Sequence, residues 1–379
     1  MKSIRLKNGK IMDCSAGKMH QADIFIQNGK IMDATVCSEN LAADEVEIDC
    51  RDCIITPGLI DLHLHLFFRG SELGVPADLA LIPNGVTTGM DAGTSGIWNF
   101  ESCLQANQNN VSGYYSLINV APMGLISDDI KEDIDPALYD WTRISCLTEK
   151  YADRLKGLKI KMGKSSVGNL GIKPLKKAIQ IAEMCGLPLV VHVTDPGVSI
   201  EAIAECLRPG DIFCHMYQGK GETILDKEGS IRKSIQDARE RGVLFDACNG
   251  NGNFSISVAQ KALKQKFFPD IISTDLTPNS WYQGYAVSMP ELMSKYLALG
   301  LLLEQIIRCT TWNPAKFLGK ERELGTLQAG TAGDVTVWKL EQQNRRYFDC
   351  TGDSVDGNAA VYPVMTIKSG MICWRAPGF

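Results

Sequence analysis

The segment Pro57-Gly58-Leu59-Ile60-Asp61-Leu62-His63-Leu64-His65-Leu66 decides how the rest of the chain is read. It is short, apolar and unbroken, the pattern of a strand buried on both faces in a parallel sheet. Two histidines stand one residue apart at its end. Residues i and i+2 of a strand share a face, so His63 and His65 point the same way. Asp61 has the same parity and lies deeper. The chain holds only five histidines in 379 residues. Two others end similar runs: His192 closes Leu187-Pro188-Leu189-Val190-Val191-His192, and His215 closes Asp211-Ile212-Phe213-Cys214-His215. Histidine is the commonest protein metal ligand, so four at strand ends point to one shared metal site. The fifth, His20, falls in N-terminal β-structure and reads as a surface residue.

Working outward, short apolar runs alternate with helical stretches from Gly58 to about Leu318. Strands are expected over residues 58–65, 87–91, 116–120, 157–161, 188–192, 211–215, 243–246 and 271–275. Helices are expected over 174–185, 200–207, 230–241 and 258–264. Alternating strands and helices make an α/β protein with a parallel sheet, and eight such units fit a (β/α)₈ TIM-like barrel. The first 57 residues read as β-structure. They contain two near-copies, Lys7-Asn8-Gly9-Lys10-Ile11-Met12-Asp13 and Gln27-Asn28-Gly29-Lys30-Ile31-Met32-Asp33. Asn-Gly between strand-like residues predicts a hairpin at each, because both turn positions take positive φ. The last sixty residues also alternate, from Val335-Thr336-Val337-Trp338 onward. The expected organisation is a barrel over 58–318 and a small β-sandwich domain built from both chain ends, 1–57 together with 319–379.

Composition narrows the function classes. Apolar residues make up 45% and charged residues 22%, with a net charge of -5. A mildly acidic chain without a basic patch excludes nucleic acid as an expected partner. No apolar run approaches the roughly 20 residues that span a bilayer, so no membrane is expected. The N-terminus lacks the apolar core of an export signal, which predicts a cytoplasmic protein. In that compartment the 13 cysteines read as reduced, buried, small hydrophobes. Cys50 and Cys53 form a lone Cys-x-x-Cys; a structural zinc needs a second pair, so they read as core thiols. The expected partner is a small-molecule substrate, and a homo-oligomer is allowed.

Active sites of this barrel class sit at the C-terminal ends of the strands. Besides the four histidines, Asp275 ends Ile271-Ile272-Ser273-Thr274-Asp275. Lys159 lies in the strand Gly157-Leu158-Lys159-Ile160-Lys161, where Lys161 shares its parity. Cys214 neighbours His215 and is expected to face the opposite way, which sets it aside as a ligand. Asp91 reads equally as a turn cap or a site residue. Asn249, Asn251 and Asn253 follow the seventh strand, in a loop that overhangs the site. Asn249 and Tyr285 are the candidate substrate contacts.

These residues carry a resemblance. The Pro-Gly-Leu-Ile-Asp-Leu-His-Leu-His opening is similar to that of the amidohydrolase superfamily, as are Gly325-Thr326-Leu327 and Ala332-Gly333-Asp334. Gly85-Val86-Thr87-Thr88-Gly89-Met90-Asp91-Ala92-Gly93, Lys164-Ser165-Ser166-Val167-Gly168-Asn169 and Thr311-Trp312-Asn313-Pro314-Ala315 resemble its deacetylase-like branch. The resemblance implies two divalent metal ions, zinc by the chemistry of the donors. His63 and His65 would hold the first with Asp275. His192 and His215 would hold the second, and Lys159, carboxylated by carbon dioxide, would bridge them. It implies hydrolysis of an acyl ester or amide by a hydroxide held between the metals, with Asp275 as general base. The alternative on the same centre is a cyclic-amide hydrolase, dihydroorotase-like, or a lactonase; a non-catalytic scaffold is the rival outside enzymes. Dihydroorotases carry arginine two residues after the second histidine, where this chain has Phe67. The deacetylase-like branch has Gly-His-Gly after the seventh strand, where this chain has Cys248-Asn249-Gly250.

Overall fold

The computed structural model describes residues 3–14, 17–33 and 46–379. Seven parallel strands run side by side in chain order: Leu59–Leu64, Val86–Asp91, Gly113–Asn119, Leu155–Lys161, Leu189–His192, Ile212–Cys214 and Leu244–Asp246. The eighth expected strand is not regular, yet it closes the ring. On one side Ala247 N–H donates to the Ile271 carbonyl at 2.9 Å and Gly250 N–H to that of Thr274 at 3.0 Å. On the other, Asp275 N–H donates to the His63 carbonyl at 2.6 Å and His65 N–H to that of Leu276 at 3.1 Å. Asp275 takes φ 54°, in the left-handed region, so the segment cannot stay extended. The fold is the expected TIM-like barrel.

The strands' outer side chains, among them Leu158, Ile160, Val191, Phe213 and Phe245, are buried in one cluster with the helix residues Ile181, Ile203 and Ile235. Each such burial contributes about 1.5–3 kcal/mol. A second cluster, with Met90, Leu117, Val190, Ile212, Cys214, Cys248 and Ile271, fills the barrel beneath its mouth. Helices begin where the sequence offers caps. Ser199 Oγ accepts from Ala202 N–H before Ile200–Cys206, and Ser255 Oγ from Val258 N–H before Ile256–Lys264. The helix expected over 230–241 runs only Lys233–Glu240, because Arg232 is extended at ψ 141°.

Both chain ends supply the flanking β-structure. A four-stranded sheet orders Lys30–Met32, Ile24–Gln27, Ile4–Lys7 and Val46–Asp49. A six-stranded sheet orders Met371–Arg375, Ser354–Lys368, Val335–Phe348, Ile54–Pro57, Lys10–Asp13 and Lys18–Gln21. Ile4, Leu6, Ile24 and Ile26 of the first pack with Ile55, Val337 and Ile367 of the second. Cys50 and Cys53 are buried in the same cluster, and His20 is exposed on Lys18–Gln21.

The two Asn-Gly copies have different fates. Asn28 and Gly29 both take positive φ, 50° and 77°, and close the expected hairpin between Ile24–Gln27 and Lys30–Met32. At Asn8-Gly9 no hairpin forms, and that expectation is corrected. Ile4–Lys7 pairs within the first sheet and Lys10–Asp13 within the second, so the chain crosses between sheets there. The crossing passes so close to Ile55 that a Cβ on Gly9 would lie 2.4 Å from its Cδ1. Among the described residues no helix is long and apolar enough to cross a membrane.

Candidate metal centre

The six expected ligands converge at the C-terminal mouth of the barrel. His63, His65 and Asp275 each offer one donor atom within 4.8 Å of the others. His65 Nε2 lies 3.2 Å and His63 Nε2 3.6 Å from Asp275 Oδ1. Lys159 Nζ lies 3.1 Å from His63 Nε2. The His63 and His215 rings are 5.4 Å apart between centroids, and those of His192 and His215 are 4.4 Å apart. The floor of a cavity of about 350 Å³ is formed by His63, His65, Lys159, His192 and Asp275. His215 lies behind, fully buried.

The hydrogen-bond network sets which ring nitrogens are bare. Thr94 Oγ1 donates to Asp91 Oδ2 at 2.7 Å, so it accepts from His65 Nδ1 at 2.8 Å. His65 Nε2 then carries a lone pair toward Asp275. His215 Nδ1 donates to the Cys248 carbonyl at 2.9 Å. Its Nε2 is buried with no hydrogen-bond partner. A buried, unpartnered imidazole nitrogen and a lone pair facing a carboxylate oxygen are costly alone and suit a cation set between them. The donors therefore fit a divalent metal.

Electrostatics favour the neutral form of His63 and His192, whereas at His215 the neighbouring Cys214 outweighs burial and raises the imidazole. Burial lowers the His63 imidazole to about 4. Burial, with His215 beside it, also holds His192 well below its usual value. Neutral imidazole is the ligating form. Burial alone would raise the Asp275 carboxyl; the His65, His63 and His215 rings around it outweigh that and hold it well below the carboxylate range. Asp275 is thus a carboxylate. Asn253 Nδ2 donates to its Oδ2 at 2.8 Å. Gly250, at φ 55°, leaves that oxygen its room: a Cβ there would lie 2.3 Å from Oδ2.

Some expectations change. Asp91 fills both roles considered for it. Its Oδ1 accepts from Gly93 and Thr94 N–H, and through Thr94 it orients His65. Lys161 does not join the ligands; its Nζ turns to Glu132 at 3.7 Å. Cys214 is not turned away. Its Sγ lies 3.2 Å from His63 Nδ1. Strict alternation fails because His215 sits past the strand end at φ 62°. The two substrate contacts expected at Asn249 and Tyr285 are also displaced. Neither lines the cavity among the described residues. Asn249 is fully buried and donates to Tyr296 Oη at 2.9 Å, while the Tyr285 carbonyl accepts from Lys295. The wall is instead built by Lys161, Lys164, Lys220, Asn251, Asn253 and Asn279. The alternating asparagines after the seventh strand were the signal for Asn251 and Asn253. Thr94 had no signal beyond its place in the Asp91 turn.

Comparison with known proteins identifies the family. Residues 54–372 match the Amidohydrolase family. A deacetylase of Agrobacterium fabrum is 29% identical over 343 residues, covering 87% of this chain and 81% of the relative. A dihydroorotase crystal structure superposes with a TM-score of 0.88 at 26% identity, over 98% of this chain and 99% of that one. An adenine deaminase crystal structure gives 0.90 at 24% identity, over 99% and 100%; at that identity the likeness is one of fold. A family match over that much of the chain places it: the protein belongs to the amidohydrolase family and is a metal-dependent hydrolase.

Proposed function

We propose that the protein is a binuclear hydrolase that removes an acyl group from a small ester or amide, in the manner of a deacetylase. The barrel segment 58–318 carries the chemistry, flanked by the domain of 1–57 and 319–379. His63, His65 and Asp275 would hold one divalent ion, zinc by donor type, and His192 and His215 the other. Lys159, carboxylated, would bridge them. The observation that carries the reading is the pair of bare imidazole nitrogens, His65 Nε2 facing Asp275 and His215 Nε2 buried without a hydrogen-bond partner. Lys159 adds support: it is buried, and among the described residues no carboxylate pairs with it. An unpaired buried ammonium is costly, whereas a carbamate is an anion with two oxygen donors.

Bound metals supply a Lewis acid and a water acidic enough to ionise near neutral pH. The chain's residues do the rest. Thr94 and the Cys248 carbonyl hold the His65 and His215 rings in the ligating tautomer. Asp275 accepts the proton of the attacking water and returns it to the leaving group, while Asn253 fixes its second oxygen. Lys161, Lys164 and Lys220 line the wall together with Asp128 and Asp195, and Lys161 pairs with Glu132, so the wall carries charge of both signs. The deacetylase of A. fabrum agrees with acyl removal. Phe67, in place of the arginine expected of a dihydroorotase, is buried and does not line the cavity.

The test is a panel of acetylated hydroxy acids and N-acetyl amino acids set against lactones and cyclic amides, with zinc-loaded protein. Acetate release is expected. Ring opening of cyclic amides without acetate release would overturn the acyl reading.

A further inference from the structure

Beneath the hydrolytic centre lies a second set of donors that hydrolysis does not use. Cys214 ends the sixth barrel strand, in register with His192 on one side and Asp246 on the other. Registered neighbours share a face, so the thiol points into the barrel with His192. Cys248, two residues past Asp246, joins it. Cys214, Cys248, His63 and His215 are all buried, and one donor atom from each lies within 4.8 Å of the others. Neither thiol is in a disulfide.

His63 divides its two nitrogens. Nε2 faces Lys159 and Asp275 at 3.1 and 3.6 Å; Nδ1 faces Cys214 Sγ at 3.2 Å. A metal-bound imidazole ordinarily gives its other nitrogen to a carboxylate, carbonyl or water. Here the nearest carboxylate oxygen, on Asp246, is farther off at 3.9 Å. Metal–sulfur bonds of about 2.3 Å and metal–nitrogen bonds of about 2.0–2.1 Å set tetrahedral donors roughly 3.3–3.8 Å apart. The four donors, within 4.8 Å of one another, lie close to that spacing.

We propose a second, sulfur-rich cation site made by Cys214 and Cys248 with His63 and His215, which takes a thiophilic divalent cation such as cadmium. Thiolate donors select soft cations over the harder ions that carboxylates prefer. On binding, both S–H bonds break, two metal–sulfur bonds form and two protons pass to solvent. His215, whose Nδ1 is held by the Cys248 carbonyl, has only Nε2 to give and also belongs to the hydrolytic set. Filling this site therefore withdraws it and stops turnover, a consequence that rests on the proposed hydrolase reading; the binding itself does not.

The experiment titrates metal-free protein with cadmium, following ultraviolet sulfur-to-cadmium charge transfer and cadmium NMR. One tight equivalent with a two-sulfur signature is expected. It should vanish in Cys214→Ser and in Cys248→Ser, yet persist in the Cys50→Ser/Cys53→Ser variant. Having two separate single variants guards against one failing to fold, which circular dichroism would show. A tight cadmium signal without sulfur character, or one unchanged in both single variants, would overturn the site. Failure of the hydrolase reading looks different: no acyl substrate turns over in zinc-loaded wild-type protein, whatever cadmium does.

Discussion

Asp275 Oδ1 lies 3.2 Å from His65 Nε2, and the hydrogen-bond chain behind His65 leaves that nitrogen without a proton. Two acceptors are held face to face, and the carboxylate is poised to exchange a proton beside the cavity. Asp275→Asn keeps the size and loses the basicity. Turnover is expected to fall roughly 10²- to 10⁴-fold, the usual worth of a general base, with bound metal retained. Steady-state kinetics on metal-quantified protein check this; a rate near wild type refutes the role.

Thr94 relays Asp91 to His65. Thr94→Val keeps the shape and deletes the hydroxyl. Loss of such a relay weakens metal binding about 10- to 100-fold. Competition with a chromophoric chelator measures it, and Thr94→Ser should restore most of the affinity. Equal affinities in the valine and wild-type proteins would remove Thr94 from the account.

Gly250 takes φ 55° with Asp275 Oδ2 against it. Gly250→Ala should destabilise by about 1–2 kcal/mol from backbone strain and, by pushing the carboxylate aside, also reduce turnover. Gly171, at φ 59° with open space around it, is the control. Gly171→Ala should show the stability loss alone. Urea midpoints and kinetics on both variants separate strain from displacement.

Much of this was legible in the sequence because buried parallel strands are apolar and end abruptly. The positions of His63, His65 and His192 needed only strand ends and parity. Parity misled where the backbone leaves the extended region. His215 at φ 62° and Asp275 at φ 54° both sit past such breaks, so Cys214 was misjudged and the eighth strand appeared too regular. The same limit applies to Asn8-Gly9, where the local turn signal is real but the partner of each strand lies in a different sheet. Asn249 and Tyr285 lie outside the cavity lining for another reason. Which asparagine of a loop faces the cavity depends on Tyr296, a contact 47 residues away.

Lys295 gives a pH test away from the metal ligands. Burial lowers its ammonium to about 7, only partly offset by Glu291 and Asp349. Its Nζ donates to the Tyr285 carbonyl at 3.1 Å and lies 4.4 Å over the Phe254 ring. Between about 7 and the unfolded value of 10.5 the unfolded chain binds the extra proton. Stability from this group therefore rises with pH across that window, on the order of 1 kcal/mol per pH unit, and is lost as pH falls toward 7. Lys295→Met should abolish the rise. Urea midpoints at neutral and alkaline pH, compared between variant and wild type, check it; parallel pH profiles would contradict the prediction.

The most direct measurement is anomalous diffraction at the zinc edge from crystals of zinc-loaded protein. Two peaks are predicted, one bound by His63, His65 and Asp275 and one by His192 and His215, each about 2.0–2.1 Å from its imidazole nitrogens. An empty barrel mouth, or zinc held only elsewhere on the molecule, would contradict the account.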